Sequence, residues 1–159
     1  MKKLTALLLA AVMIFALCAC GSNDEPAESE GNAQMVNPMV EVDETELQNS
    51  LGVVLSAPEG AENIKYFLIG GNLGEVQFDY NGAEYSYRAQ KTDEFEDISG
   101  AYFTNPEAVN SDGVCTITVE KDGSLGTVIW YADGFSYAIS MGEGAAAKSL
   151  MAIYELLTA

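Results

Sequence analysis

Between residues 114 and 141 apolar and polar side chains alternate almost without a break, and the dipeptides Asp122-Gly123 and Asp133-Gly134 punctuate the alternation. Both dipeptides are turn signals for antiparallel hairpins. Pairing about the first turn sets Ile117 opposite Val128 and Cys115 opposite Trp130. Pairing about the second sets Trp130 opposite Tyr137 and Val128 opposite Ile139. The two hairpins select one face. Cys115, Ile117, Val119, Val128, Trp130, Phe135, Tyr137, Ile139 and Met141 point inward, while Thr116, Thr118, Glu120, Thr127, Ser136 and Ser140 point outward. A slip of one residue would exchange the faces. Ile129 and Tyr131 break the pattern as apolar residues on the outer face, which makes them a candidate exposed binding patch.

A third hairpin lies in "EVQFDYNGAEYSYR", where Asn81-Gly82 predicts a two-residue turn. Its register sets Tyr80 opposite Ala83, Phe78 opposite Tyr85, Val76 opposite Tyr87 and Glu75 opposite Arg88, so the arginine meets an acid. Upstream, "MVEV" at 39–42 predicts a short strand. "DETELQNSLG" predicts one short helix with Asp43 as its cap, Glu46 completing a capping box, Leu47 and Leu51 on one face and Gly52 as its stop. "VVLSAPEGAENIKYFLIGG" holds two strand-like apolar runs split by Pro58 and Gly60. At the end of the chain, Ala146, Leu150, Ile153 and Leu157 recur at helical spacing, with Met151 and Tyr154 widening the stripe. The expected fold is α+β: a single antiparallel β-meander sheet of about six or seven strands, packed by the C-terminal helix, with the short helix near its start. These elements occupy 38–159, 122 residues that form one domain.

The N-terminal region has a different pattern. After Met1-Lys2-Lys3, Leu4 to Ala19 carries no charge, the layout of a secretory signal peptide over 1–19. The run of sixteen residues is short for a transmembrane anchor, which needs about 20 to cross the hydrocarbon layer. "LCAC" at 17–20 places small Ala19 before Cys20, whereas processing at Cys18 would put bulky Leu17 at the cut. This segment resembles the lipobox of bacterial lipoproteins, and the resemblance implies that the Cys20 thiol takes a diacylglyceryl group before the signal peptide is removed. An ordinary thiol in a cleaved secretory signal is the alternative. After cleavage, however, Cys115 is the only other cysteine, so a disulfide framework is not available to the mature chain. Two or three acyl chains on one residue meet the requirement for stable anchoring. Residues 21–37, "GSNDEPAESEGNAQMVN", offer almost nothing to bury and form a flexible acidic tether spanning about 23 Å.

"PEGAENIKYFLI" (58–69), "VQFDYNGAEYSYRAQK" (76–91), "EDISGAY" (96–102) and "IWYADGFSYAIS" (129–140) together resemble small lipoproteins of Gram-positive bacteria. They are similar to an extracytoplasmic domain of unknown function at the ends of some membrane-anchored regulators. The shared motifs are hairpin and core signatures. They imply a fold and a location on the outer face of the cell membrane, and no catalytic residues.

Charge narrows the partners. With Lys2 and Lys3 lost in the signal peptide, five Lys and Arg face 24 Asp and Glu, a balance of −19. Such a chain repels nucleic acid and anionic headgroups, leaving the lipid anchor as its contact with the membrane. The sequence contains no histidine, which removes the usual general base of serine and cysteine hydrolases and the commonest zinc ligand. Cys115 sits in an alternating strand and reads as a core thiol rather than a nucleophile. Gly70-Gly71-Asn72-Leu73-Gly74 reads as a turn, because no Lys-Ser or Lys-Thr follows it as in a phosphate loop. "TDEFEDISG" (92–100) holds oxygen donors that would suit calcium, but it lacks the glycine-broken spacing of a calcium loop and reads as a solvated loop. No metal and no cofactor is expected. Tyr66, Tyr80, Tyr85, Tyr87, Tyr102, Tyr131 and Tyr137 supply either a groove for a peptide or glycan or the core. Two classes of function follow: a non-catalytic lipoprotein module that binds a protein, peptide or envelope component, or an envelope hydrolase working with carboxylates alone.

Overall fold

A computed structural model of the protein describes residues 38–111 and 113–159. The expected signal peptide, Cys20 and the tether lie outside the described residues.

Strand β1 (Met39–Val42) leads into helix α1 (Glu44–Leu51), followed by β2 (Glu62–Ile69), β3 (Leu73–Tyr80), β4 (Ala83–Lys91), β5 (Pro106–Ser111), β6 (Cys115–Glu120), β7 (Gly126–Ala132), β8 (Phe135–Met141) and helix α2 (Ala147–Thr158). The Asp43 carboxylate caps α1 by accepting from the Glu46 amide at 2.8 Å, and Gly52 ends it in the left-handed region that glycine adopts without strain.

The strands form one antiparallel sheet in the order β1-β2-β3-β4-β8-β7-β6-β5. It differs from the expectation in two ways. Among the described residues there are eight strands rather than six or seven, and they make two four-stranded meanders joined side by side rather than one. The three hairpin registers are as the turn dipeptides dictate: Phe78↔Tyr85, Ile117↔Val128 and Trp130↔Tyr137 all pair. The seam is β4 against β8, through Tyr85↔Met141, Tyr87↔Ile139 and Ala89↔Tyr137. Residues 53–57, expected as strand, are not in one. Leu55 is fully buried there, so the apolar run fills the core without joining the ladder.

Both helices cover the inner face, α1 over β2, β3 and β4 and α2 over β6, β7 and β8. Each sits above a glycine. A Cβ on Gly74 would collide with the Leu51 side chain, and one on Gly126 would lie 2.7 Å from Leu150 Cδ1, so the missing side chains let the helices approach closely. Between helices and sheet lies an aromatic stack: Trp130 is parallel to Tyr137 at 5.0 Å, meets Tyr154 edge-on at 5.0 Å, and has Tyr87 at 6.0 Å.

Covering the outer face is a segment that local pattern does not reveal. To pass from β4 to the far edge at β5, residues 92–105 cross over β8, β7 and β6, and buried polar groups hold them down. Arg88 Nε donates to Glu75 Oε2 at 2.5 Å, and Arg88 Nη1 donates to the Ser99 carbonyl at 2.7 Å and the Ile98 carbonyl at 3.2 Å. Ser136 Oγ accepts from the Glu96 amide at 2.8 Å. Glu120 accepts from the Thr104 amide, from Thr104 Oγ1 at 3.1 Å and from the Asn105 amide at 2.9 Å. Glu120, Thr127 and Ser136 therefore face outward as expected and are nevertheless buried. The acidic loop is in part a lid, with its own Ile98 and Ser99 buried.

Candidate functional site

Tyr131, at the end of β7, points through the outer face and donates its hydroxyl to the Thr92 and Asp93 carbonyls, both at 3.2 Å. These bonds pin the start of the crossover, and the Ser136 bond to the Glu96 amide pins it again four residues after Thr92. Phe95 lies between the two pins with half its surface exposed (49%). Beside it the turn between β5 and β6 presents Val114, 63% exposed, and Tyr131 itself is 39% exposed. Together with half-buried Ile129 they line one depression of about 440 Å³. Gly113, Cys115, Thr116 and Trp130 also line it. The two residues singled out by parity thus lie in a larger apolar surface. Phe95 carried no periodic signal because it sits in a loop, and Val114, at the head of the alternating run, lies in the turn before β6.

Carboxylates neighbour its lining residues along the chain. Asp93, Glu94, Glu96 and Asp97 are all exposed, as is Asp133 in the turn after β7. Asp97 Oδ1 accepts from the Ser99 amide at 2.9 Å, which shapes the loop. Among the described residues no three His, Cys, Asp or Glu side chains converge as a donor set for a metal ion.

The tyrosines do not gather into one groove. Tyr85, Tyr87 and Tyr137 are buried in the core, Tyr66 and Tyr80 pack against it half-buried, and Tyr102 stands 85% exposed on the crossover. Burial pushes the Tyr85, Tyr87 and Tyr137 phenols above the ordinary tyrosine range, with Tyr137 adding to the effect on Tyr87 and Asp133 to that on Tyr137. These rings are neutral packing groups, not reactive anions. Cys115 is buried beneath α2, and Tyr154 is close enough for the thiol to add to the burial that raises its own phenol.

Other hollows lie among the described residues. A polar groove of about 480 Å³ on the outer face is lined by Lys65, Gln77, Asp79, Glu84, Ser86 and Ser140, with Asn63 Nδ2 donating to Asp79 at 2.5 Å. One of about 620 Å³ on the inner face runs between α2 and the β3–β4 hairpin, along Tyr80, Tyr85, Met141, Lys148 and Leu156. Buried Glu75 lies in neither, and buried Glu120 borders a third hollow, of about 440 Å³, with Val109, Lys121 and Ala147. Glu75 is committed to Arg88 and Gln77, and Glu120 to the Thr104–Asn105 turn.

Comparison with protein families, with curated proteins and with solved structures finds no match to this chain.

Proposed function

We propose that this protein is a lipid-anchored module on the extracytoplasmic face of the cell membrane that binds a protein, peptide or envelope component without catalysing a reaction. The anchor is Cys20, after a signal peptide over 1–19, and the acidic tether over 20–37 lets the domain at 38–159 stand off the membrane. The observation that carries the binding role is the apolar depression of Phe95, Val114, Ile129 and Tyr131, where three of the exposed large apolar side chains line one hollow. The two buried carboxylates act as structural acceptors, which favours a binding module over a carboxylate hydrolase.

Anchoring is tested by Cys20→Ser in cells fed labelled palmitate. The expected outcome is loss of label and release of the protein from the membrane fraction, since both depend on the thiol. Label persisting on that variant would overturn the lipobox assignment.

A further inference from the structure

We infer that the depression of Phe95, Val114, Ile129 and Tyr131 receives a basic amphipathic segment of another polypeptide. An apolar or aromatic side chain enters the depression, and Lys or Arg residues beside it meet the neighbouring carboxylates. This names the class of partner for the module proposed above and rests on that reading.

Three observations carry it. The first is the exposure of three large apolar side chains around one hollow, supplied by separate parts of the chain: the crossover, the β5–β6 turn and the outer face of β7. The second is rigidity. The Tyr131 hydroxyl holds the backbone at Thr92 and Asp93, and Ser136 holds it at Glu96, so Phe95 is presented from a backbone fixed on both sides. An anchor ordered before binding loses less entropy on binding. The third is charge. Asp93, Glu94, Glu96 and Asp97, all within two residues of Phe95, and Asp133, two residues after Tyr131, are exposed, and Lys91 is the only cation within the stretch 88–111 besides Arg88, which is committed to Glu75.

Charge also decides among occupants. A second copy of this chain would bring the same carboxylates against themselves, and an anionic membrane surface would be repelled in the same way. A basic segment with an apolar anchor satisfies the carboxylates and the hollow together.

The test uses full-length protein in detergent and a fluorescent synthetic peptide alternating lysine with tryptophan and leucine. A control peptide of equal charge has serine at the apolar positions. The first peptide is expected to bind at least about tenfold more tightly than the control. Phe95→Ser with Val114→Ser should remove that advantage, and both residues are exposed, so the fold should survive. Glu94→Gln with Glu96→Gln should weaken both peptides. So should raising the ionic strength from about 0.01 M to about 1 M, which cuts the screening length from roughly 30 Å to roughly 3 Å. Equal binding of the two peptides, or binding indifferent to Phe95→Ser with Val114→Ser, would overturn the proposal. It would likewise be overturned by a concentration-dependent dimer in light scattering, or by binding of Cys20→Ser protein to phosphatidylglycerol vesicles, if the same double substitution abolished either. None of these results touches the anchoring assignment, which fails only if palmitate labelling does not depend on Cys20.

Discussion

Replacing Trp130 with alanine is expected to lower the unfolding free energy by about 3 to 5 kcal/mol, the usual range for deleting a large buried aromatic. Trp130 is 6% exposed and is the hub of the stack, with Tyr137 and Tyr154 both at 5.0 Å and Tyr87 at 6.0 Å. Its neighbours come from β4, β8 and α2, so the ring ties the seam between the two meanders to the helix above it. Removing it leaves a hollow that stacked rings cannot close by rotamer changes. Thr118→Ala, on the opposite face of β6, should cost far less, because a half-buried hydroxyl is removed without opening the core. Denaturant melts of the two variants check the register directly, and the reverse order of stability would contradict it.

The second large effect is expected at Arg88. Arg88→Met leaves the Glu75 carboxylate, 2% exposed, with Gln77 Nε2 at 2.5 Å as its remaining side-chain donor. An uncompensated buried charge of this kind costs about 3 to 5 kcal/mol. The substitution also frees the Ile98 and Ser99 carbonyls that the guanidinium holds. The double variant Glu75→Leu with Arg88→Met separates the two losses, since replacing both members of a buried pair by apolar groups is often neutral. Denaturant melts should show the double variant recovering most of the stability, with the residue of the loss measuring the crossover anchors. A single variant as stable as the wild type would mean that Glu75 does not need its partner.

How much of this was legible depended on whether the controlling interaction was local. The hairpins could be read because Asn81-Gly82, Asp122-Gly123 and Asp133-Gly134 fix register within a few residues, and alternation then assigns each side chain to a face. The caps of α1 were readable for the same reason. The seam was not: Tyr85 pairs with Met141 across more than fifty residues, and no turn chemistry encodes that choice of neighbour. Strand β5 escaped notice because an edge strand beginning at Pro106 and reading Pro-Glu-Ala-Val-Asn-Ser needs neither alternation nor β-branching to pair on one side. The burial of Glu120, Thr127 and Ser136 was hidden by the same non-locality, since it follows from the path of residues 92–105 over the sheet. For the candidate site, Ile129 and Tyr131 stood out by violating parity, whereas Phe95 and Val114 join them only once the crossover and the β5–β6 turn are folded into place.

The central functional claim is that a membrane-held domain meets its partner through the Phe95–Val114–Tyr131 face. A photo-crosslinking amino acid placed at Val114 in the full-length protein, in intact cells, tests it most directly. Ile64 of β2, also apolar and exposed, is the control position. The expected result is an adduct from position 114, absent from position 64, recovered with the membrane fraction and diminished when Phe95→Ser is added. An adduct from position 64 alone, or adducts of equal yield from both positions, would contradict the claim.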